Sequence, residues 1–465
     1  MFSTRRSIWL FVMVAVAAVV PTIIHALATP TSRRDAILQA AAAGTFVTST
    51  LAGGSNNVAV ADENVGTTLT PLLDEARQTY IQRFPTLFAP LYGQANGKLS
   101  VKRSVGNNVW VIEQNLELGP LQVPIRCVVI RLKDGTLWVH NPLAPTPEFF
   151  ELVESCAIDD MDHKSDTDHE STNRRKNVVA HVVVSTYALE HKVFAKDALE
   201  RWPSAQLWTS PGQFSFPLAN APAQYIWGRD HVTGILGESN DSPQTLQPSW
   251  IDEIEYETLA AGTFPIGFHQ VTFYETAFYH KATKSLIVTD ALIRVPSTPP
   301  NERLNDPDKL LLISKRSTSD PQPEDTPEAR RIGWEKTCLL VSYFFPEHEE
   351  LDPDQGPGVV TWTEGWHANF LALSNRLLVP PVVRELIYAK NPASVQNWVD
   401  RVANRWDFAS ILPAHFEAPI PATPTVFRRA FRFLQDPTID AFPAKDLERG
   451  IQPIANLAVG KKTTK

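Results

Sequence analysis

Histidine and carboxylate side chains, whose nitrogen and oxygen atoms can bind metal ions, are concentrated in one charged segment of the sequence. Residues 159–176 read DDMDHKSDTDHESTNRRK and place His163 and His169 among aspartates. The segment has no apolar residue besides Met161, so it cannot form a buried core of its own. We therefore interpret it as a solvated insertion rather than as a metal site.

A second phrase with chemically active side chains is WGRDH at residues 227–231. It falls in the loop-rich stretch 210–248, so we interpret it as a loop. The glycine pair at 53–54 lies in the leader described below and forms no phosphate-binding loop, and no G-x-S-x-G sequence is present. The sequence thus argues against a P-loop nucleotide enzyme and against a serine hydrolase of the G-x-S-x-G class.

The three cysteines, Cys127, Cys156 and Cys338, are far apart in the sequence. An odd number without close spacing does not indicate a disulfide framework or a zinc knuckle. Because free cysteine is usually buried, we predict three small core residues. A single disulfide is the alternative if the protein resides in an oxidising compartment.

The overall composition limits the class of protein. A chain of 465 residues suffices for one large domain or two ordinary ones, and 43% hydrophobic residues can form a sizeable core. The formal net charge of −8 argues against nucleic-acid binding, because nucleic-acid binders normally carry a basic surface. The 37 prolines are typical of stiff loops rather than of long helices.

The first 28 residues have the pattern of a secretory signal peptide. Arg5 and Arg6 precede an apolar run over residues 8–20, and Ala26-Leu27-Ala28 forms a small-x-small cleavage site. A retained membrane anchor is the alternative, although about 13 apolar residues are short for a span of about 20. Any contact with a membrane is expected through this removable leader alone.

A second targeting segment is predicted over residues 29–61. The twin arginine Arg33-Arg34 is followed by a mildly apolar stretch over 36–53 and by an A-x-A sequence at 59–61. Two signals in series resemble the leaders of thylakoid-lumen proteins in algae with secondary plastids, although Thr29 stands where such leaders usually have an aromatic residue. We expect a plastid protein of the thylakoid lumen whose mature chain begins near Asp62; simple secretion is the alternative.

The elements that must position any site are predicted from apolar runs and turn signals. Val178–Ser185 is almost continuously apolar, so we predict a strand that is covered on both faces. A helix over Lys192–Trp202 and a strand over Gln206–Thr209 complete a right-handed βαβ unit. Further strands are predicted at 109–113, 126–132, 136–140, 253–259, 270–279, 285–289 and 410–412, and helices at 70–84, at 147–156 and over most of the remainder to 434.

This order of elements predicts an α/β fold in which two mixed sheets pack face to face with helices outside. We expect a helical or linker segment over residues 62–106, the folded domain over 107–435, and a C-terminal tail over 436–465. Two inserted loops are expected within the domain, at residues 159–177 and 317–330.

Four phrases in the sequence carry a family resemblance. They are LWVHNPLAPTP at 137–147, TYALEH at 186–191, SLIVTD at 285–290 and ILPAH at 411–415. In this order they resemble the family called domain of unknown function 4336, a branch of the metallo-β-lactamase superfamily. The resemblance spans about residues 107–420 and implies the αββα sandwich of that superfamily.

The resemblance also implies where metal ligands would lie. In active members an H-x-H-x-D-H motif, a bridging aspartate and a final histidine hold two metals. The motif positions fall on Thr186, Ala188, Glu190 and His191, so both histidines of H-x-H are replaced. Asp290 matches the bridging aspartate, and the phrase ILPAH supplies a match to the final histidine.

Two interpretations of these residues remain open at this stage. One divalent ion (zinc, iron or manganese) could be held by His191, Asp290 and His415, with Glu190 as the catalytic residue that orients or deprotonates water. The favoured interpretation is a metal-free pocket in a binding or scaffold protein that kept the fold without the chemistry. Pocket residues are expected at three further positions: His140, Thr186 and Glu275. The expected partner is a small-molecule ligand or another protein.

Overall fold

A computed structural model gives the fold of the chain. It describes residues 75–81, 97–118, 120–157, 178–186, 188–211, 213, 227, 232–237, 247–266 and 269–453. The leader, the charged segment 159–176 and residues 228–231 lie outside these ranges, so the interpretations given for them stay predictions.

The first sheet has seven strands, and they are hydrogen-bonded in chain order. The first four strands pair antiparallel, whereas β4 to β7 run parallel. The sheet is built from β1 (Val101–Gly106), β2 (Val109–Leu118), β3 (Leu121–Arg131), β4 (Leu137–His140), β5 (Val179–Val184), β6 (Gln206–Thr209) and β7 (Val232–Ile235).

The second sheet has five strands in the order β16-β15-β10-β9-β8. Its strands are β8 (Ile254–Ile266), β9 (His269–His280), β10 (Ser285–Ile287), β15 (Ser410–Leu412) and β16 (Ile420–Pro421). The strands β10 and β15 are parallel neighbours, although 122 residues lie between Ile287 and Ser410. Two small sheets pair β11 (Ile293–Arg294) with β14 (Leu377–Leu378), and β12 (Glu349–Leu351) with β13 (Val360–Trp362).

Four of the nine helices in the described part of the chain begin where proline and a capping side chain occur together. The helices are α1 (Pro147–Glu154), α2 (Ala195–Arg201), α3 (Pro307–Ser314), α4 (Pro327–Tyr343), α5 (Trp366–Leu373), α6 (Pro381–Leu386), α7 (Pro392–Arg405), α8 (Pro424–Ala430) and α9 (Ala444–Asp446). Thr146 and Thr326 cap α1 and α4 by accepting backbone N–H groups. Many prolines thus start helices, where their fixed φ is suitable, rather than only stiffening loops as the composition suggested.

Three apolar layers hold the elements together. Val111 and Trp138 of the first sheet pack between the sheets with Phe278 and Leu412 of the second. One set of helices covers the outer face of the first sheet, through contacts such as Phe149. The helices α7 and α8 cover the outer face of the second sheet. The predicted αββα sandwich is confirmed by this arrangement.

Several predicted boundaries differ from the structure. The βαβ unit is present, but its helix α2 starts at Ala195, because residues 189–191 form a separate 3-10 turn. The expected loop 317–330 ends earlier, since α4 already begins at Pro327. The fold also extends beyond the boundary expected at residue 435, because Phe442 and Ile451 are buried in a core cluster. At the other end, β1 places residues 101–106 inside the sheet rather than in a linker. Of the helix expected at 70–84, the structure describes residues 75–81, and residues 75–78 form a 3-10 turn.

Two further predictions concern single features. Cys127, Cys156 and Cys338 are free and buried, which confirms the prediction of three small core residues. Within the described ranges, the structure contains no helix that is both long and apolar enough to cross a membrane.

Candidate functional site

The residues of the candidate site follow strands of both sheets. Parallel neighbours end at the same edge of a sheet, so the loops after β10 and β15 lie side by side. Backbone hydrogen bonds continue this pairing beyond the strands, because the N–H of Ala414 donates to the carbonyl of Thr289 over 3.3 Å. Asp290 and His415, which follow these two residues, are therefore brought together.

Three side chains converge at this edge. The Nε2 atom of His191 lies 3.2 Å from Oδ1 of Asp290 and 3.2 Å from Nε2 of His415. The third distance, from Nε2 of His415 to Oδ1 of Asp290, is 3.5 Å. The His191 side chain is fully buried, whereas Asp290 and His415 remain 20% and 13% exposed. Solvent therefore reaches the cluster through Asp290 and His415.

The imidazole rings of His415 and His191 are held in different ways. His415 donates its Nδ1–H to the carbonyl of Pro124 over 2.9 Å. A neutral histidine with this proton carries its lone pair on Nε2, which is the atom that faces His191 and Asp290. The Nδ1 atom of His191 is buried without a hydrogen-bond partner among the described residues. All polar contacts of the His191 ring are thus made through Nε2.

The charges of the cluster support one another. Burial disfavours the imidazolium of His191, but the Asp290 carboxylate and its hydrogen bond outweigh burial and raise the pKa of His191. Burial likewise disfavours the charged carboxylate, but the two histidines outweigh it and lower the pKa of Asp290. Asp290 therefore carries a negative charge at neutral pH and can attract a cation to the cluster.

Glu190 lies on the other side of His191. One of its carboxylate oxygens is within 4.8 Å of a ring nitrogen of both His191 and His415. Glu190 also lines a narrow cavity of about 10 Å³ together with Phe194 and Lys98. A cavity of this size is close to the space that one water molecule needs. The predicted catalytic residue thus borders both the histidine pair and a space for water.

Glu275 binds the backbone of the loop that carries Asp290 rather than lining a pocket. Its buried Oε1 accepts the backbone N–H groups of Thr289, Asp290 and Ala291 at 2.8, 3.1 and 3.0 Å. Burial and the charge of Asp290 raise the pKa of Glu275 to about 8, against the effect of the three N–H donors. The expected pocket residue is therefore a brace that shapes the loop carrying Asp290.

His140 and Thr186 were expected to line the pocket, and both lie in the interior instead. His140 is 1% exposed, and its Nε2 lies 2.7 Å from Oγ of Ser185. Ser185 in turn lies 2.5 Å from Oγ1 of Thr289 and is bonded by Asn141. Thr186 is 4% exposed and forms a backbone bridge with Glu275. The polar ends of the strands are thus paired with each other, and this closed network joins the two sheets.

Replacing His140 with glutamine is expected to flatten the loss of stability in acid. Burial, and secondarily the charge of His191, lower the pKa of His140 from 6.5 to about 3. Below pH 6.5, His140 therefore binds a proton in the unfolded chain but not in the folded chain. The free energy of unfolding falls as a result. This single group contributes a slope that approaches about 1.4 kcal/mol per pH unit. Urea unfolding at pH 7, 6 and 5 measures the slope.

The control for this variant is His367→Gln, because the His367 side chain is 48% exposed and lies outside the network. It controls for the loss of an imidazole outside the network. An equal slope for wild type and His140→Gln would show that His140 binds its proton equally in the folded and unfolded states.

Several residues of the site were not identified from the sequence. Ser185, Asn141 and Thr289 form the network around His140, and the carbonyl of Pro124 orients His415. A signal was available for the first three, because each polar residue directly follows an apolar strand. A backbone carbonyl leaves no such signal, since every residue has one.

The comparison with protein families assigns the chain. Residues 106–433 match the family described as Domain of unknown function (DUF4336). The chain belongs to the DUF4336 family. This confirms the family expected from the four phrases. A comparison of the chain with curated proteins finds no match.

Solved structures with some similarity to this DUF4336 protein include the metal-soaked Flv1 flavodiiron core from Synechocystis sp. PCC6803, at 11% identity and a TM-score of 0.32. A metallo-β-lactamase from Pontibacter korlensis matches at 10% identity and 0.31, covering 73% of this chain and 100% of that chain. The flavodiiron protein from Giardia intestinalis matches at 11% and 0.37. Each flavodiiron match covers 73% of this chain and 61% of that chain, less than two thirds of its length.

Proposed function

We propose that this DUF4336 protein is a hydrolase that uses a single metal ion, held by His191, Asp290 and His415. The observation that supports this proposal is the triangle of their ligand atoms, with sides of 3.2, 3.2 and 3.5 Å. Three ligands placed tetrahedrally at about 2.0–2.1 Å from a zinc ion lie about 3.3 Å from one another. The side chains are therefore spaced as the ligands of such an ion would be.

The chemistry of the donors agrees with this spacing. Two imidazoles and one carboxylate form a ligand set found in catalytic zinc sites, which keep a fourth position for water or substrate. The lone pair on Nε2 of His415 and the charge on Asp290 both face His191, and no lysine or arginine is bonded to this carboxylate among the described residues. A cation at the centre of the triangle would accept the lone pair of His415 and offset the negative charge of Asp290. Zinc fits the tetrahedral spacing, and iron and manganese are the alternatives to be measured.

The residues of the chain would divide the work as follows. A bound metal lowers the pKa of a coordinated water to about 7 and so supplies a hydroxide near neutral pH. Asp290 stays ionised, and the Pro124 carbonyl keeps the lone pair of His415 directed to the centre. Glu190, which has a carboxylate oxygen within 4.8 Å of a ring nitrogen of both histidines, would accept the proton of the water and deliver it to the leaving group.

Replacing Glu190 with glutamine is expected to retain the metal and lower the hydrolytic rate by about 10²- to 10⁴-fold, the usual contribution of a general base. Glutamine keeps the size of the side chain but cannot accept a proton. The rate is measured with a panel of p-nitrophenyl esters, phosphate monoesters and phosphate diesters, and the metal by elemental analysis. Glu200→Gln, an exposed glutamate on α2, is the control. Loss of metal from Glu190→Gln would instead make Glu190 a ligand.

The experiment that tests the proposal is metal analysis of the purified chain from Asp62 onward, after growth with zinc, iron and manganese. Near-stoichiometric metal is expected, because a preformed three-ligand site fills almost completely. The alternative is a metal-free binding protein, in which His191 simply hydrogen-bonds Asp290. The replacement of both H-x-H histidines by Thr186 and Ala188 favours this alternative. Less than about 0.2 ion per chain would establish it.

We also propose that the protein acts in the thylakoid lumen of a plastid on a small-molecule substrate. The two signals in series over residues 1–61 support the location. The limited exposure of the Asp290 and His415 side chains, 20% and 13%, supports a small substrate. A fluorescent protein fused behind residues 1–61 tests the location in an alga with secondary plastids. Fluorescence in the secretory pathway alone would favour the alternative of secretion.

A further inference from the structure

Strand β3 forms hydrogen bonds to the loop that carries His415. Ile125 forms a backbone bridge with His415, next to the hydrogen bond from the imidazole to Pro124. One residue further along β3, the guanidinium of Arg126 donates to the carbonyl of Phe416 over 2.6 Å. The same guanidinium also donates to the carbonyl of Pro413. The loop is therefore held on both sides of the histidine by one side chain.

The guanidinium is itself fixed within the sheet. Arg126 is fully buried, and its Nε and Nη2 atoms donate to Oε1 of Glu113 over 2.9 and 2.6 Å. Glu113 is its direct partner across the β2–β3 pair. Arg103 donates to the same carboxylate from β1 and to the carbonyl of Ala418 over 3.0 Å. The Arg126 fork is thus anchored by the carboxylate on β2, and Arg103 of β1 shares that carboxylate without contacting the residues that flank His415.

The backbone of the loop depends on this support. Phe416 has a φ of 57°, a conformation that is unfavourable for a bulky residue. A strained backbone of this kind persists only when its surroundings hold it in place. An arginine fork can bond two separate carbonyls in fixed directions while it is anchored to a carboxylate, whereas a lysine ammonium is a single point on a flexible stem.

We infer that Arg126 is a positioning residue, which sets the place of His415 Nε2 relative to His191 and Asp290 and thereby tunes metal affinity. This inference rests on the proposed metal site. Among the described residues, the guanidinium of Arg126 donates to Glu113 and to two backbone carbonyls and forms no hydrogen bond to the side chains of the three ligands. It acts through the backbone of residues 413 and 416, as groups that orient metal ligands do in other sites.

The experiment compares zinc affinity of wild type, Arg126→Lys and Arg103→Lys by competition with a chelator. The zinc affinity of Arg126→Lys is expected to fall about 10- to 100-fold, the usual cost of removing a group that orients a ligand. Arg103→Lys is the matched control, because Arg103 binds the same glutamate but reaches Ala418 rather than the residues flanking His415. Its affinity should stay within about twofold of wild type.

A second measurement does not depend on metal. Nitrogen NMR of the metal-free protein reports which nitrogen of His415 carries the proton, and wild type should show Nδ1–H. In Arg126→Lys the loop is released, so a mixture of the two tautomers is expected. If Arg126→Lys does not fold, Glu113→Gln, which keeps the guanidinium but weakens its anchor, is measured in the same two ways.

The outcomes separate the inference from the proposed function. If the folded Arg126→Lys variant binds zinc as tightly as wild type and its His415 keeps the same tautomer, the positioning role is overturned. Wild type that binds no zinc would refute the proposed function, and the tautomer measurement would still decide whether Arg126 positions His415.

Discussion

Replacing His191 with alanine is expected to reduce bound zinc from about one ion per chain to less than about 0.1. The Nε2 atom of His191 contacts both other ligand atoms, so its loss leaves one imidazole and one carboxylate. Two ligands are fewer than the three that zinc sites need from the protein. Elemental analysis of the purified variant measures the loss, and circular dichroism shows whether the fold is retained.

The effect should also appear in stability. A ligand present at about 100 times its dissociation constant stabilises the folded state by about 2.7 kcal/mol. Zinc should therefore raise the Tm of metal-free wild type and leave that of His191→Ala unchanged. His367→Ala, which removes a half-exposed histidine from another part of the molecule, should respond as wild type does. Full zinc occupancy in a folded His191→Ala variant would show that the ion lies elsewhere.

The sequence identified these ligands through the family phrases and not through their own spacing. His191 and His415 are 224 positions apart. His191 follows β5 of the first sheet and His415 follows β15 of the second, so their contact depends on how the two sheets pack. The parallel pairing of β10 with β15 places Asp290 beside His415, and no local pattern reveals it because α3 to α7 separate the two strands. Short apolar runs and turn residues predicted most strands of both sheets. Which strands lie side by side is decided by packing over the whole chain.

The strands β2 and β3 are longer in the structure than the sequence predicts. The apolar runs of the sequence predict a first strand that ends at Glu113 and a second that begins at Arg126. In the structure both strands continue past these residues, because the carboxylate and the guanidinium face each other across the β2–β3 pair. Each charge is unfavourable in a core alone, and only the register of two strands makes the pair acceptable.

Replacing Glu113 with alanine is therefore expected to reduce the free energy of unfolding by about 3–5 kcal/mol, the usual cost of leaving a buried charge without its partner. Both side chains are at most 1% exposed, so water cannot replace the carboxylate. The two arginines outweigh burial and lower the pKa of Glu113, so the pair is ionised at neutral pH. Urea unfolding of metal-free protein at pH 7 measures the change without a contribution from zinc.

The matched control is Asp407→Asn, because Asp407 pairs with Lys284 at the surface with both side chains more than half exposed. No measurable change is expected there. A double variant, Glu113→Leu with Arg126→Met, separates the two roles of the buried pair. Apolar side chains of similar volume often replace a buried ion pair without loss of stability. They cannot donate hydrogen bonds to the carbonyls of Pro413 and Phe416. If the double variant is stable but binds zinc more weakly, the stability at this position comes from packing, and the placement of His415 depends on the charged side chains.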